Sequence, residues 1–204
     1  MRRRKSIWIL LSGLAAAGCG REKEMVAEDS WTDMTDHWEA VSGGEVRTGE
    51  PLRIGWGESL TAVKWGGEIP EPPFELKLMA KRVDGTDFFC AVTFPVREGD
   101  GSVTLVVGGW GGGIVGISSI DGKDASENET TSNQRFETGV WYKIRLICES
   151  ERIATWINGE KVVDVDTTGK ELSLRPGPIS DCAPFGLATW QTTGVIRNVR
   201  WRAI

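Results

Sequence analysis

The sequence predicts an all-β domain, a jelly-roll sandwich of two antiparallel sheets with roughly a dozen strands. Many short β-rich runs are separated by turn signals. No segment after the N-terminal region has the apolar period of a long amphipathic helix. The runs outnumber the roughly seven to nine strands of an immunoglobulin sandwich, so a larger two-sheet jelly roll fits better.

Two runs alternate between apolar and polar residues, as half-buried strands do: residues 74–81 and 141–148. In the second run the alternation predicts an inward face made of Tyr142, Ile144, Leu146 and Cys148. Residues 88–96 and 103–107 are more continuously apolar, which is typical of strands covered on both faces. Residues 185–190 and 195–201 complete the predicted set, the latter with Arg197, Arg200 and Arg202 on polar positions.

The clearest local prediction is a β-hairpin over residues 153–163, with Asn158-Gly159 at its turn. A type I′ turn needs positive φ at both central residues, and Asn-Gly accepts that conformation best.

The first 30 residues predict export rather than fold. Residues 1–5 are basic, an apolar stretch too short for a permanent membrane span runs to Ala17, and small residues precede Cys19. These small residues resemble the bacterial lipobox, although Ala16 stands where that motif usually has Leu. We therefore expect a signal peptide over 1–18, lipidation at Cys19, a polar tether over 19–30 and one domain over 31–204. An ordinary signal peptide cut near Ala17 is the alternative.

This leader also predicts location. The protein is expected to be exported and anchored by lipid to a bacterial membrane, facing the periplasm or the cell surface. Gly20 follows the cysteine in place of the aspartate that retains some lipoproteins in the inner membrane, which favours the outer membrane.

The net charge is −5, and removal of the leader would leave 20 basic against 29 acidic residues, a net charge of −9. Nucleic acid is not an expected partner, because phosphate contacts need clustered Lys and Arg. The same balance argues against direct docking on anionic lipid, so the acyl chain would have to hold the protein to the membrane.

Three further cysteines, Cys90, Cys148 and Cys182, leave an odd number of thiols if Cys19 is lipidated, and their pairing stays open. Their spacing fits no zinc motif, and a single histidine disfavours zinc and a Ser-His-Asp triad.

The C-terminal half carries three motifs in order: a W-x-x-I strand at residues 141–144, W-I-N-G-x-x-V at 156–162, and R-N-V-R at 197–200. This order resembles the 3-keto-disaccharide hydrolase domain family, which has a concanavalin-like jelly roll. The resemblance implies that fold and carbohydrate as the ligand class. The family's G-N-S-G-I strand and E-x-Q pattern are absent, so no catalytic residue is transferred from them.

Aromatic side chains are the first candidates for binding a sugar ring, whose apolar C–H face stacks on a flat indole. Trp110 lies among Gly108, Gly109 and three following glycines, with Trp65 and Trp190 as further platforms and Asp121 as a hydrogen-bonding partner. Packing of Trp110 over the core is the alternative.

An acidic loop over residues 121–129 offers oxygen ligands of the kind that Ca²⁺ requires, namely Asp121, Asp124 and Glu127. Alternatively Asp124, Glu127 and Glu129 supply a general acid and base, since glycosidases use two carboxylates. A solvated polar loop is the third reading. The expected function is accordingly action on, or binding of, a glycoside such as a keto-glycoside, with a non-catalytic carbohydrate-binding or structural envelope lipoprotein as alternatives.

Overall fold

A computed structural model describes residues 31–97 and 101–204 and confirms the predicted all-β sandwich. The described residues form fifteen strands, no α-helix and one 3-10 turn at Pro178–Cys182. No helix among them is long and apolar enough to cross a membrane. The predicted signal peptide, Cys19 and the tether lie outside the described residues.

The strands, in chain order, are β1 Thr32–Asp33, β2 Trp38–Ser42, β3 Val46–Arg47, β4 Leu52–Ile54, β5 Leu60–Trp65, β6 Phe74–Gly85, β7 Cys90–Pro95, β8 Ser102–Gly109, β9 Ile114–Ser118, β10 Ser132–Asn133, β11 Tyr142–Cys148, β12 Arg152–Ile157, β13 Glu160–Asp166, β14 Gly186–Trp190 and β15 Thr192–Ala203. An eight-stranded sheet has the order β13-β12-β11-β6-β15-β4-β3, with β1 also paired to β15. A seven-stranded sheet has the order β10-β9-β8-β7-β14-β5-β2. All pairings are antiparallel, and seven of the thirteen join strands that are not consecutive in the chain.

The core fills the space between the two sheets and is built from their inward-facing side chains. On β11 the predicted inward residues Tyr142, Ile144, Leu146 and Cys148 are all buried. The Asn158-Gly159 hairpin joins β12 to β13, with φ of 51° and 90° at the two turn residues. Alternation and turn chemistry therefore predicted both elements correctly.

Cys90, Cys148 and Cys182 are all buried free thiols. Burial raises the pKa of each thiol to about 12, with neighbouring acids adding to the effect at Cys148 and Cys182. They behave as small apolar side chains.

The outer face of the seven-stranded sheet is lined by small residues where a long connection passes over it. Ala62, Ala91 and Ala188 lie beneath Cys182 and Ile179 of this connection. A Cβ on Gly186 would lie 2.7 Å from the Cβ of Cys182, so only glycine allows this approach. The connection, residues 174–183, is called the crossing segment below, and it forms one wall of a groove.

Candidate functional site

A groove of about 360 Å³ lies on the outer face of the seven-stranded sheet, beside the crossing segment. Its apolar lining includes two tryptophans, and its polar lining includes two carboxylates, two hydroxyls and one guanidinium. The residues are Leu60, Asp87, Phe88, Thr104, Val106, Trp110, Ser118, Asp124, Arg175, Pro176, Gly177, Pro178, Ile179 and Trp190. The volume lies at the small end of the range of ligand pockets, about 300–1,000 Å³.

Trp110 occupies the tight turn between β8 and β9 and is 42% exposed. The alternative, in which Trp110 packs over the core, is not what the structure shows. Its φ of 49° is a left-handed conformation that is uncommon for a non-glycine residue. The indole therefore stands at the groove with part of its surface open to solvent.

A buried arginine supports this turn from below. Arg82, on β6, donates from Nη2 to the carbonyl of Gly112 at 3.0 Å and, at the longer distance of 3.5 Å, to that of Gly108. Its guanidinium also lies 5.2 Å from the ring centroid of Phe89. Burial lowers the pKa of Arg82, while the charge of Asp87 opposes this shift.

The position of Arg82 explains two of the glycines near Trp110. Gly108 and Gly112 both have positive φ, and a Cβ on either would lie within 3.2 Å of the Arg82 guanidinium. They make room for Arg82 and allow the backbone conformation of the turn.

The second groove tryptophan, Trp190, lies at the end of β14. Its ring is tilted against Phe88, with 6.3 Å between centroids, and both rings are only partly buried. Phe88 is positioned by Asp87, whose Oδ1 accepts a 2.7 Å hydrogen bond from the Phe88 amide. Asp87 was not a predicted site residue. Its sole signal in the sequence is its place next to the Phe88-Phe89 pair.

Asp124 is the acidic-loop residue that lines the groove. Its Oδ1 accepts hydrogen bonds from the Ser118 hydroxyl at 2.5 Å and the Ala125 amide at 3.1 Å. Its Oδ2 forms an ion pair with Arg175 Nη1 at 2.6 Å. The carboxylate is therefore held in place by a strand residue and by the crossing segment.

The acidic loop is shaped by a buried amide. Asn128 Nδ2 donates to the carbonyls of Ile117, Lys123 and Asp124, and its Oδ1 accepts from the amide and hydroxyl of Thr130. The composition of the loop had directed attention to its carboxylates. The loop is instead organised by a neutral side chain that satisfies buried backbone groups.

The other predicted acids lie away from the groove lining. Glu129 forms an ion pair with Lys170 at 2.5 Å, which lowers its pKa, and Asp121 lies 3.8 Å from the same ammonium. Glu127 is exposed. The structure therefore does not bring Asp124, Glu127 and Glu129 together as a catalytic set around one cleft.

The proposed calcium ligands also do not converge. Within residues 31–97 and 101–204, no group of three or more His, Cys, Asp or Glu side chains is placed to hold a metal ion. Asp121 faces Lys170 and Asp124 faces Arg175, so calcium would have to displace these cations. The residues present do not fit a calcium site at Asp121, Asp124 and Glu127.

Trp65 requires a correction as a platform for sugar. It is 3% exposed, packs against Trp38 with 4.9 Å between ring centroids, and donates its indole N–H to the Glu68 carbonyl. It faces inward on β5, so its ring belongs to the core and has no accessible face. Its position near a loop in the sequence did not reveal which side of the strand it occupies.

Structures of similar fold are found among proteins of carbohydrate biology. A carbohydrate-binding module, CBM66 from Bacillus subtilis, is 15% identical, with 81% of this chain and 94% of that chain covered and a TM-score of 0.54. The exoplasmic/lumenal domain of VIP36 in a Ca²⁺/Man-bound form is 10% identical, with 82% and 83% covered and a TM-score of 0.55. The Crh5 transglycosylase is 11% identical, with 82% and 83% covered and a TM-score of 0.50.

At these identities the likeness defines the class of fold, a two-sheet jelly-roll sandwich. No curated protein matches the sequence significantly. The family model of the 3-keto-alpha-glucoside-1,2-lyase-like domain matches residues 75–204, so the chain belongs to that family. This confirms the resemblance drawn from the W-x-x-I, W-I-N-G and R-N-V-R motifs.

Proposed function

We propose that the protein binds a short glycoside in the groove, with Trp110 and Trp190 as stacking surfaces. The observation that carries this proposal is that both tryptophans line one groove together with Ser118, Asp124 and Arg175. Aromatic faces beside fixed polar groups are what a sugar requires, because its ring has apolar C–H faces and a rim of hydroxyls.

The polar groups are suited to hydroxyl recognition. Asp124 is held by Ser118 and Arg175, so carboxylate, hydroxyl and guanidinium meet at one point of the lining. Together they offer both acceptors and donors to neighbouring sugar hydroxyls. The family description and the carbohydrate-related names of the structural neighbours support the same ligand class.

A second candidate function is turnover of a 3-keto-glycoside, which the family description favours. In a 1,2-elimination a base removes the proton from C2, beside the C3 carbonyl, while the C1–O bond breaks and the departing oxygen gains a proton. Asp87 and Asp124 are the two carboxylates that line the groove, and they are the candidates for these proton transfers. Without turnover, the protein is a carbohydrate-binding module.

We further propose export and lipid anchoring at Cys19, with the outer membrane as the destination. The support is the basic, apolar and small-residue order of residues 1–18. Labelling of cells with a fatty-acid analogue tests it: the wild-type chain should carry the label and Cys19→Ser should not. Label on the Cys19→Ser chain would contradict the assignment.

Binding is tested by titrating the protein with a panel of mono- and disaccharides, including their 3-keto forms, in a calorimeter. Trp110→Ala should weaken the binding of any ligand found by about tenfold, or ~1.4 kcal/mol. Trp56→Ala is the matched control, because Trp56 is 55% exposed and lies outside the groove lining. Equal affinity in the two variants, or no binding to any sugar, would overturn the proposal.

Turnover is tested on the same panel by following product formation over time. Asp87→Asn and Asp124→Asn should each lower the rate by at least about 100-fold if they transfer protons. Glu127→Gln, an exposed acid of the same loop, should retain the wild-type rate. Binding without turnover would leave a carbohydrate-binding module.

A further inference from the structure

The outer face of the eight-stranded sheet carries a dense set of cations around three tryptophans. This cationic face is formed by Trp31, Lys77, Lys81, Trp141, Lys143, Arg145, Trp156, Lys161, Arg197, Arg200 and Arg202. Cross-strand registers place its residues side by side: Arg145 opposes both Lys77 and Trp156, and Arg200 opposes Lys77. The face lies on the opposite side of the sandwich from the groove.

The cations are held in place by the indole rings. Trp31 has Lys77, Arg200 and Arg202 within 4.9 Å of its ring centroid. Trp156 and Trp141 each have two cations over the ring, the nearest being Arg145 at 4.5 Å and Arg197 at 4.1 Å respectively. Contacts of this kind are attractive, because the electron-rich face of an indole favours a cation above it.

A buried carboxylate holds three of the same cations from below. Glu75 is 1% exposed and forms ion pairs with Lys77, Arg145 and Arg202 at 3.2, 2.6 and 2.6 Å. The other acids near the face are fewer than its eight cations: Asp164 pairs with Lys161, Asp33 lies opposite Arg200, and Glu50 accepts a hydrogen bond from the Asn198 amide. The face is therefore strongly basic, although the whole chain has a net charge of −5.

A β-bulge is what assembles the basic side chains of β15 on one side. By strict alternation Arg197 would share the inner face with Val199 and Trp201. The register shifts between Arg197 and Arg200, where Asn198 has a φ of 55°. This extra residue places Arg197 on the outer face with Arg200 and Arg202.

The cations extend beyond the concavity of about 540 Å³ that Lys77, Lys143, Arg145, Trp156 and Arg200 line, as contact with an extended anionic surface requires. They spread over β13, β11, β6 and β15, which with β12 span about 20 Å at the usual strand spacing. The indole rings are already covered by two or three cations each, so they are poorly placed to stack on sugars.

The position of Trp31 in the chain also favours a bilayer as the anionic surface. Trp31, which lies on this face, directly follows residues 19–30, the predicted tether. Twelve residues reach at most about 40 Å. A lipid at Cys19 would therefore keep the cationic face within reach of the bilayer.

We propose that the cationic face docks the domain on the anionic phospholipid headgroups of a membrane. The groove on the opposite sheet would then face away from the bilayer. This docking does not depend on the carbohydrate function and reverses the expectation drawn from net charge, because the eight cations of this face exceed the acids beside them and present a local positive charge to the bilayer.

The experiment is sedimentation of the full chain bearing Cys19→Ser with vesicles of phosphatidylcholine, with or without 30 mol% phosphatidylglycerol. The face variant is Lys143→Gln/Arg200→Gln, because neither residue has an ion pair with Glu75. The control variant, Lys64→Gln/Lys123→Gln, removes the same charge outside the cationic face. The basic and apolar leader is common to all variants, so the comparison between them reports the face.

We expect the face variant to bind anionic vesicles about 25-fold more weakly, at about fivefold per charge, and the control variant to match the parent. Binding by the parent should fall as salt rises. Equal losses in the two variants would overturn the proposal. It would also fail if the face variant lost binding to soluble polygalacturonate while vesicle binding was unchanged, since the face would then recognise a polysaccharide.

Discussion

Asp124 and Arg175 form an ion pair with 2.6 Å between Oδ2 and Nη1, and this pair joins the acidic loop to the crossing segment beside the groove. Asp124 is largely buried, with 14% of its side chain exposed, whereas 60% of the Arg175 side chain is exposed. An exposed guanidinium held by a shielded carboxylate can still contact a ligand.

Removal of Arg175 should affect binding more than folding. Arg175→Gln is expected to change the free energy of unfolding by less than about 1 kcal/mol, because the ion pair between Arg175 and Asp124 is partly solvated. Affinity for the groove ligand should fall about tenfold. Chemical denaturation and calorimetry measure the two quantities. A large stability loss with unchanged affinity would show that Arg175 only fastens the crossing segment.

Arg82 should be essential for the shape of the Trp110 turn. Arg82→Met leaves the carbonyls of Gly108 and Gly112 without their donor and should cost about 2–3 kcal/mol of unfolding free energy. Hydrogen exchange over residues 108–113 should accelerate. Arg47→Met, which removes a 68% exposed arginine side chain, is the control. Unchanged exchange at the turn would show that its conformation does not depend on Arg82.

Asn128 should matter more to the acidic loop than its carboxylates do. Asn128→Ala removes five hydrogen bonds around a buried amide and is expected to destabilise the fold by about 3 kcal/mol. Glu127→Gln in the same loop should stay within about 0.5 kcal/mol of wild type. Urea denaturation measures both. Similar stabilities for the two variants would contradict this assignment.

Glu75 should make stability depend on pH in the acid range. Burial by itself would raise its pKa, but the hydrogen bonds from Arg145, Arg202 and Lys77 outweigh that effect and lower it from 4.5 to about 2. A carboxyl with a lowered folded-state pKa stabilises the fold above its unfolded-state pKa. That stabilisation, on the order of 2–3 kcal/mol, should be lost as pH falls from about 4.5 to 2.

Glu75→Gln tests this linkage by denaturation at several pH values. The variant should be less stable than wild type at pH 7, and the difference should shrink as pH approaches 2. Glu160→Gln, at the exposed hairpin end, is the control. A constant difference across the pH range would rule out the ionised Glu75 as its source.

The three described cysteines should be silent to thiol reagents in the folded protein. Burial raises their pKa to about 12, so the reactive thiolate form is scarce at pH 8. The same burial keeps the reagent from reaching the sulfur atoms. A chain bearing Cys19→Ser should give no fast reaction with Ellman's reagent, and three thiols after denaturation without reductant. Fewer than three would indicate a disulfide.

Local patterns predicted the strands well because each depends on neighbouring residues. Alternation gave the buried face of β11, and Asn158-Gly159 fixed the turn between β12 and β13. For Trp110 the sequence left two alternatives, a ligand platform or a core residue, and the structure decides for the exposed position.

The rest of the groove could not be predicted in the same way. Asp87 and Arg175 lie far apart in sequence and meet at one groove only after β7 and the crossing segment are placed on the same sheet. Trp65 resembled the other candidates in sequence, yet it lies on the side of β5 that faces the core.

The sequence by itself therefore determined the class of fold, the hairpin and the family, because periodicity and turn residues act over a few neighbouring positions. The tertiary structure decided which aromatic and charged groups share a surface. Glu75, Arg145 and Arg202 become neighbours solely through the strand order β11-β6-β15. That order cannot be inferred from net charge. Strand order is set by long-range packing of the core, so the groove and the cationic face emerge at that level alone.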